Sequence, residues 1–192
     1  MRTDKMVSVV VPNYNGKAFI EPCLRSLAAD APEAEILVVD NASADGSREQ
    51  VEQRFPEVRL IALERNYGFA RAVNEGIRAS TRPYVILLNN DTEVLPGFTE
   101  ELVKALEGDR RAFSASAKLL SLKEPGKIDD AGNFYCALGW AFARGKDRSA
   151  AYYEEAGTIF AACAGAAIYR RAVFEEIGYF DEAHFAYLED VD

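Results

Sequence analysis

Residues 7–15 read VSVVVPNYN, a short apolar run that stops at a cluster of polar side chains. The same pattern recurs at 36–41 (ILVVDN), at 60–66 (LIALERN) and at 85–91 (VILLNND). Short, β-branched apolar runs are typical of strands that are buried on both faces of a sheet. In a parallel sheet the carboxyl ends of such strands share one edge, where open α/β folds bind their ligands. The oxygen-rich tips therefore predict a site for a hydrated cation and for sugar or ribose hydroxyls.

Helical segments separate these runs. Apolar residues recur at helical spacing in 19–29, 68–79 and 98–106, and a more polar helix is predicted at 48–55. Strand and helix alternate regularly up to residue 107, which favours an α/β fold with a mostly parallel, Rossmann-like sheet flanked by helices.

After residue 107 the alternation is lost. Further strands are predicted at 112–120 and 137–143, and a short helix at 171–177 that ends at Gly178. We expect this part to form a smaller subregion beside the main sheet. Because the chain stops inside an acidic cluster at 189–192, we also expect it to be a fragment of a longer protein.

Composition narrows the functional classes. A chain of 192 residues is long enough for one domain with a substantial core. Its net charge of −9 argues against a nucleic-acid partner, because duplex-binding proteins present a basic face. The three cysteines have no metal-binding spacing, which favours reduced thiols in a cytoplasmic protein. The sequence has neither the apolar segment of a signal peptide nor an apolar run of about 18 residues that would span a bilayer.

Asp91 is the first candidate for chemistry. It follows a predicted buried strand, and the amide oxygen of Asn89 lies two residues earlier. A carboxylate and an amide oxygen in this position can hold Mg²⁺ or Mn²⁺, which would bridge phosphate oxygens of a leaving diphosphate. The alternative is a simple turn, since Asn and Asp often bond to their own backbone. The neighbouring polar clusters favour the metal site.

Two further clusters are candidates for ligand contacts. Asp40 ends a strand and can accept hydrogen bonds from a base or a ribose, whereas Asp45 and Ser47 are interpreted as helix caps. Gly68 permits close backbone approach at a helix start, and Arg71, one turn later, is placed to reach a phosphate. The alternative for Arg71 is an ordinary solvated arginine.

The acidic segment near the carboxyl end is a candidate for the general base. Glu189 and Asp190 follow Phe185, Tyr187 and Leu188, so we expect some of these carboxylates to pack against the rest of the protein. One of two close carboxylates has its pKa raised by its neighbour, which suits a base. The alternative is a solvated acidic surface.

Taken together, these segments resemble the inverting family 2 glycosyltransferases of GT-A fold, near the rhamnosyltransferase-like members. The resemblance covers nearly the whole chain in the expected order. The matching positions are 9–15, 38–43, 45–47, 66–69, Asn74, 88–91, 165–167, 170–171, Phe174, Gly178, 180–182 and 189–192.

The resemblance implies roles for particular residues. Asp91 would bind the divalent cation, Mg²⁺ or Mn²⁺, and Asp190, with Glu189 beside it, would remove the proton from the acceptor hydroxyl. In-line attack would then expel the nucleoside diphosphate with inversion. The residues implied at the nucleotide sugar are Pro12, Tyr14, Asp40, Asn66, Arg71, Asn89 and Asn90.

The resemblance also implies an organisation and partners. Residues 1–107 would be the nucleotide-sugar-binding half, and residues 108–192 the acceptor-side half of the same GT-A domain, truncated at its carboxyl end. The donor would be a nucleotide sugar, with dTDP- or UDP-linked sugars favoured. The acceptor would be a carbohydrate or a lipid-linked molecule in polysaccharide, lipopolysaccharide or glycoconjugate synthesis. The location would be cytoplasmic, at the inner face of the membrane, with peripheral membrane contact through segments outside this chain.

Two departures and two rivals qualify this interpretation. Asn89 replaces the aspartate often found in the metal motif, so less charge is available for a cation, and relatives usually continue well past the acidic motif. A dinucleotide oxidoreductase is disfavoured, because the first strand leads into PNYNG and not into a Gly-x-Gly-x-x-Gly loop. An inactive nucleotide-sugar-binding or interaction module of the same fold is the remaining alternative.

Overall fold

The computed structural model describes residues 3–192. Within them, four strands and four helices alternate in the first part of the chain, after a 3-10 helix at Thr3–Met6. These are β1 (Val7–Asn13), α1 (Ile20–Asp30), β2 (Glu35–Asp40), α2 (Ser47–Arg54), β3 (Arg59–Ala62), α3 (Phe69–Ala79), β4 (Tyr84–Leu88) and α4 (Phe98–Gly108). The predicted alternation up to residue 107 is thus confirmed.

The second part of the chain contains shorter elements. They are β5 (Ser114–Ser116), β6 (Leu119–Leu120), β7 (Ile128–Asp130), β8 (Asn133–Tyr135), β9 (Ala141–Ala143), a 3-10 helix at Ala150–Tyr152, β10 (Ala166–Arg170) and α5 (Arg171–Ile177). The helix predicted at 171–177 is present and ends before Gly178.

Six of the described strands form the main sheet, in the order β3-β2-β1-β4-β10-β5. The pairs among β3, β2, β1 and β4 are parallel, whereas β10 runs antiparallel to both β4 and β5. The mostly parallel α/β sheet expected from the sequence is therefore correct. Its antiparallel edge belongs to the second part of the chain.

Alternate residues of the central strands supply two cores, one on each face of the sheet. On β1, Val9 and Val11 join the apolar cluster under α1 and α4, whereas Val10 faces the cluster under α3. Gly76 of α3 lies so close to Val10 that a Cβ atom there would overlap its side chain. Because both faces are covered, the central strands read as nearly continuous apolar runs.

Two strand predictions in the second part were too long. The segment 112–120 is divided between β5, which pairs with β10, and β6, which pairs with β7. Of the segment 137–143, only β9 is a strand, and it forms a hairpin with β8. The turn between them contains Gly139 at φ 85°, so the residues before β9 reverse the chain direction.

The antiparallel strand β10 brings the second part of the chain to the edge of the sheet where the parallel strands end. Ala166, its first residue, is opposite Leu88, the last residue of β4. Residues 163–165 therefore lie at the carboxyl end of β4, beside the start of the Asn-Asn-Asp cluster. Among residues 3–192, no helix has the length and apolar character needed to cross a membrane.

Candidate active site

A pocket of about 290 Å³ opens at the carboxyl ends of the parallel strands. Its lining comes from the segments that follow β1, β2, β3 and β4, and from residues 179–192, which we call the acidic tail. The lining residues are Pro12, Asn13, Tyr14, Asn41, Asn66, Gly68, Phe69, Asn89, Asn90, Asp91 and Phe185. The polar tips predicted to share an edge are thus brought together.

Asp40 lies beneath this pocket and is not part of its lining. The carboxylate is fully buried, and its Oδ1 accepts a hydrogen bond from Asn13 Nδ2 at 2.9 Å. Its Oδ2 accepts from the backbone N–H of Ser43 at 3.0 Å. Both oxygens therefore hold neighbouring loops in place, and a direct contact with a ligand would need these bonds to rearrange.

Asn13 is a central residue of the site whose role was not assigned from the sequence. Its Nδ2 also donates to Ser47 Oγ at 2.9 Å, and its Oδ1 accepts from Asn90 Nδ2 at 2.7 Å. It is buried at the end of β1, so it connects the loops after β2 and β4. Gly16 is needed nearby, because a Cβ atom there would overlap the Asn90 amide. In the sequence, the only indication of this role was that Asn13 belongs to the polar cluster after the first apolar run.

Asn41 links the loops after β2 and β3. Its Nδ2 donates to Asn66 Oδ1 at 2.9 Å and to the carbonyl oxygen of Gly68 at 3.0 Å. Its Oδ1 accepts from the backbone N–H of Tyr67 at 2.9 Å. Asn66 was predicted to contact the nucleotide, and it does line the pocket, but Asn41 fixes its orientation.

Asp91 is the unengaged carboxylate of the pocket. It is exposed, and across residues 3–192 its side chain takes part in no hydrogen bond or ion pair. The preceding Asn89 is held by its backbone, whose N–H donates to the carbonyl oxygen of Gly165 at 2.9 Å. An exposed carboxylate with an amide oxygen close by is a set of hard oxygen donors, which fits a hydrated Mg²⁺ or Mn²⁺ that keeps most of its waters.

Arg71 lies beside the pocket and not on its lining. Its guanidinium group forms an ion pair with Glu182 at 3.2 Å and another with Glu75 at 3.7 Å. The same group packs on the ring of Tyr67, 4.7 Å from the ring centroid. A phosphate contact by Arg71 would compete with two carboxylates, which are partly exposed and therefore bind it weakly.

The acidic tail folds back onto α3. Asn74 is buried in that helix; its Nδ2 donates to the carbonyl oxygen of Phe180 at 2.9 Å, and its Oδ1 accepts from the Phe180 backbone N–H at 3.1 Å. Further along the tail, the carbonyl oxygen of Phe185 accepts from the backbone N–H of Phe69 at 2.6 Å. The first free N–H of α3 is thus satisfied by the tail, which closes one side of the pocket.

Replacing Gly68 by alanine tests this closure. Gly68 has φ 88° and ψ 175°, a region open almost only to glycine, and an added Cβ atom would overlap the Phe185 carbonyl oxygen. We expect Gly68→Ala to lower the free energy of unfolding by roughly 1–3 kcal/mol or more. We also expect it to release residues 181–192 to limited proteolysis.

Gly97→Ala is the matched control for that variant. Gly97 also precedes a helix at φ 88°, but a Cβ atom there would have no neighbour within 4 Å. Gly97→Ala should lower the free energy of unfolding by about 1–2 kcal/mol through backbone strain alone. The acidic tail should remain resistant to protease in this variant. Equal protease sensitivity of both variants would contradict the proposed contact between tail and helix.

Asp190 is held in a defined orientation. Its Oδ2 accepts two hydrogen bonds, from Asn133 Nδ2 and from the backbone N–H of Ala164, both at 3.2 Å. Partial burial raises the pKa of this carboxyl above its ordinary value. Among the described residues, no other residue donates a hydrogen bond to its Oδ1.

Glu189 has a similar environment. Burial raises the pKa of its carboxyl, and the neighbouring charge of Asp190 adds to the effect. Its Oε2 is buried and has no hydrogen-bond partner within residues 3–192. Asp130, on β7, is a third carboxyl whose pKa is raised by burial, with the charge of Asp190 also contributing. Carboxyl groups with raised pKa values therefore cluster in the second part of the chain.

Two contacts connect Asp190 with the pocket. Ala164 donates to Asp190, and the next residue, Gly165, accepts from Asn89 at the end of β4. Asp190 itself is not on the pocket lining. The Ala164–Gly165 backbone thus links the carboxylate of Asp190 to Asn89, two residues before Asp91.

A larger and more open depression of about 610 Å³ lies against α1. Its central carboxylate is already engaged, because Glu21 accepts hydrogen bonds from Arg25 at 2.8 Å and from Gln50 at 2.8 Å. These contacts lower the pKa of Glu21, so this surface carries a stable ionised carboxylate rather than a reactive one. The smaller pocket is therefore the better candidate.

The sequence profile described as Glycosyl transferase family 2 matches residues 8–178. The chain belongs to this family. Its fold is the GT-A fold, as expected from the sequence.

Relatives of this family 2 member include a rhamnosyltransferase. The chain is 28% identical to the N-acetylglucosaminyl-diphospho-decaprenol L-rhamnosyltransferase of Mycobacterium tuberculosis over 97% of its own length and 68% of that protein. It is 35% identical to the succinoglycan biosynthesis protein ExoO of Rhizobium meliloti over 59% of its own length and 31% of that protein. The expected likeness to rhamnosyltransferases is confirmed.

Two solved structures share this fold. TarS of S. aureus, residues 1–349, superposes with a TM-score of 0.68 at 20% identity and covers 96% of this chain. The mannosyltransferase PcManGT of Pyrobaculum calidifontis, solved with GDP-Man and Mn²⁺, superposes with a TM-score of 0.64 at 20% identity and covers 92%. This family 2 chain spans about half the length of each, 52% and 48% respectively.

Proposed function

We propose that this protein transfers a sugar from a nucleoside-diphosphate sugar to an acceptor hydroxyl with inversion at the anomeric carbon. The observation that carries the proposal is that the Ala164–Gly165 backbone connects the oriented Asp190 carboxylate to Asn89, in the loop that also carries the unengaged Asp91 carboxylate. A binding module of the same fold would need neither group. The reaction would serve polysaccharide, lipopolysaccharide or glycoconjugate synthesis.

Residues 1–107 supply the donor half in this proposal. Pro12, Tyr14 and Asn66 line the pocket at the base and ribose, and Tyr14 is half-exposed, so its ring is free to pack against a base. Asp40 supports them from below through Asn13. TarS has been solved with UDP-GlcNAc and PcManGT with GDP-Man, which supports a nucleoside diphosphate sugar as the class of donor. The likeness to a rhamnosyltransferase favours a dTDP- or UDP-linked sugar.

Asp91 and Asn89 would hold Mg²⁺ or Mn²⁺ against the diphosphate, with Asn90 beside them. When bound, the cation supplies positive charge that stabilises the departing diphosphate. A single carboxylate suffices for Mg²⁺, which is commonly bound by one or two carboxylates together with substrate phosphates and water. Mn²⁺ in the PcManGT structure supports the same class of metal.

Residues 108–192 supply the acceptor half. Asp190 Oδ1 takes the proton of the acceptor hydroxyl, while Oδ2 stays bonded to Asn133 and Ala164. The acceptor oxygen forms its bond to the anomeric carbon as the bond from that carbon to the diphosphate oxygen breaks. Attack from the side opposite the leaving group inverts the configuration. The raised pKa of Asp190 makes it a better base than an ordinary aspartate.

The acceptor is proposed to be a lipid-linked glycan or another carbohydrate. The name of the Mycobacterium tuberculosis relative describes a sugar joined through a diphosphate to decaprenol. Such an acceptor resides in a membrane, so the enzyme would act at its cytoplasmic face.

A panel of nucleotide sugars tests the donor proposal. With Mn²⁺ present, we expect dTDP- or UDP-linked sugars to raise the melting temperature of this chain, because a ligand at about 100 times its Kd stabilises by about 2.7 kcal/mol. Chelation of the metal should reduce the shift, and the free sugar should give none. The absence of any shift with dTDP-, UDP- and GDP-linked sugars would contradict the proposal.

A further inference from the structure

The β8–β9 hairpin, residues 133–143, exposes an unusual amount of apolar surface. Leu138 and Trp140 at its turn are 84% and 73% exposed, and the flanking Tyr135 and Phe142 are at least half exposed. Phe160, which packs beside the hairpin, is 60% exposed. Soluble monomers rarely present adjoining apolar side chains of this size without an interaction partner.

The aromatic side chains that flank the turn pack on one another. The ring of Tyr135 stacks on Phe160 with centroids 5.5 Å apart, and Phe134 packs on Phe142 at 5.7 Å. The turn is closed by a hydrogen bond from the Cys136 backbone N–H to the carbonyl oxygen of Trp140 at 2.9 Å. The hairpin therefore presents Leu138 and Trp140 from a closed turn on a packed aromatic base.

The charge around the hairpin differs from that of the whole protein. Residues 118–148 contain six Lys and Arg against four Asp and Glu, whereas the full chain has a net charge of −9. Four of those six cations form no ion pair with a carboxylate in the described part of the chain. They are Lys118, Lys123, Arg144 and Arg148. With Glu154 and Glu155, which follow this segment, the balance over residues 118–155 is neutral, so an anionic surface would meet less repulsion here than over the protein as a whole.

The hairpin also adjoins the proposed base. Asn133, at its start, donates a hydrogen bond to Asp190. Any surface that receives the tip of the hairpin is thereby placed at a fixed position relative to the carboxylate that would deprotonate the acceptor.

We propose that the tip of the hairpin, Leu138 to Trp140, inserts into the headgroup region of an anionic lipid bilayer. The reason for this contact rests on the proposed function, since a lipid-linked acceptor must be met at the membrane surface. Tryptophan is favoured in that region because its ring is apolar and its N–H remains hydrated. A shallow tip with nearby Lys and Arg binds through apolar burial together with attraction to anionic lipids.

Trp140 is the only tryptophan of the chain, so it reports on its own environment without labelling. Vesicles of phosphatidylglycerol and phosphatidylcholine in equal parts should shift its fluorescence to shorter wavelength and sediment the protein. Vesicles of pure phosphatidylcholine should bind less, and high salt should weaken binding to the anionic vesicles.

A pair of leucine variants isolates the hairpin. Leu138→Ser keeps the tryptophan probe. It should reduce partitioning into anionic vesicles about tenfold, because burial of a leucine side chain contributes about 1.5 kcal/mol or more, which corresponds to about a tenfold change in affinity. Leu95→Ser is the matched control, since Leu95 is also strongly exposed, at 70%, but lies on the loop before α4. It should leave partitioning unchanged.

Three results would overturn the inference: no binding to either vesicle, equal loss in both leucine variants, or a fluorescence shift that grows with protein concentration without lipid. The last result would identify a second copy of the chain as the partner. Nucleotide-sugar binding without vesicle binding would refute only this inference. Vesicle binding without nucleotide-sugar binding would refute the proposed function and leave the membrane surface in place.

Discussion

Replacing Asp190 by asparagine is expected to reduce sugar transfer by about 10²–10⁴-fold, the range associated with loss of a general base. Donor binding should be unchanged, because Asp190 does not line the nucleotide pocket. The fold should also be preserved. Asp190 accepts both of its hydrogen bonds, from Asn133 and Ala164, at the same oxygen, Oδ2. The amide oxygen of asparagine can accept both bonds in its place.

The stability of Asp190→Asn relative to the wild type should depend on pH. Burial raises the pKa of Asp190, so the folded state takes up a proton at a higher pH than the unfolded state does. The wild type therefore loses stability as the pH rises from the ordinary aspartate pKa through the raised one. Asp190→Asn lacks this loss, so its stability relative to the wild type should increase with pH and level off above the raised pKa. Melting temperatures across pH 4–7 would measure this difference.

The pH profile of transfer provides an independent check. In the wild type, kcat/KM should fall as the pH drops through the raised pKa of Asp190, because a protonated carboxyl cannot accept the acceptor proton. Asp192→Asn is the matched control, since Asp192 is an exposed carboxylate two residues further along. It should retain transfer. Normal transfer by Asp190→Asn would show that another group is the base.

Replacing Asp91 by alanine is expected to weaken nucleotide binding in the presence of Mn²⁺ by roughly 100-fold or more. Charge stabilisation by a metal ion is worth several kcal/mol, and each 1.4 kcal/mol changes the affinity about tenfold. The reason lies in the site, where Asp91 is the exposed carboxylate at the end of β4 and Asn89 carries no charge. Calorimetry with UDP and dTDP, with and without the metal, would measure the effect.

The diagnostic result is the loss of metal dependence. Chelation should weaken nucleotide binding by the wild type but have little further effect on Asp91→Ala. Glu93→Ala is the matched control, because Glu93 is an exposed carboxylate of the same loop that does not line the pocket. Asn89→Asp, which adds a charge beside Asp91, should strengthen the response to Mn²⁺. Unchanged metal dependence in Asp91→Ala would place the cation elsewhere.

Much of the fold could be predicted because its signals are local. The apolar runs that begin at residues 7, 36 and 85 coincide with β1, β2 and β4, since a buried parallel strand reads as an apolar run. The segment 112–120 was harder to predict. Its two short strands pair with different partners, β10 and β7, and nothing in the local pattern distinguishes those partners.

The candidate site was only partly predictable for the same reason. The residues that follow each strand were expected at one edge, and Pro12, Tyr14, Asn66 and Asn89–Asp91 do meet there. Which of the polar groups would be buried could not be predicted. Asp40 lies under the pocket and is fully bonded, while Asn13 and Asn41, which had no assigned role, organise the loops around it.

The sequence by itself determined the alternation of strands and helices, the shared edge of polar tips and the family likeness, because these depend on residue type and spacing along the chain. Only the tertiary structure decided that Asp190 is connected through Ala164 and Gly165 to Asn89 on the pocket lining. That placement depends on β10 pairing antiparallel to β4, which brings Ala164 and Gly165 to the strand end. Hydrogen bonds between distant segments and the burial they cause leave no local pattern in the sequence, so the working orientation of each carboxylate appears only once the chain has folded.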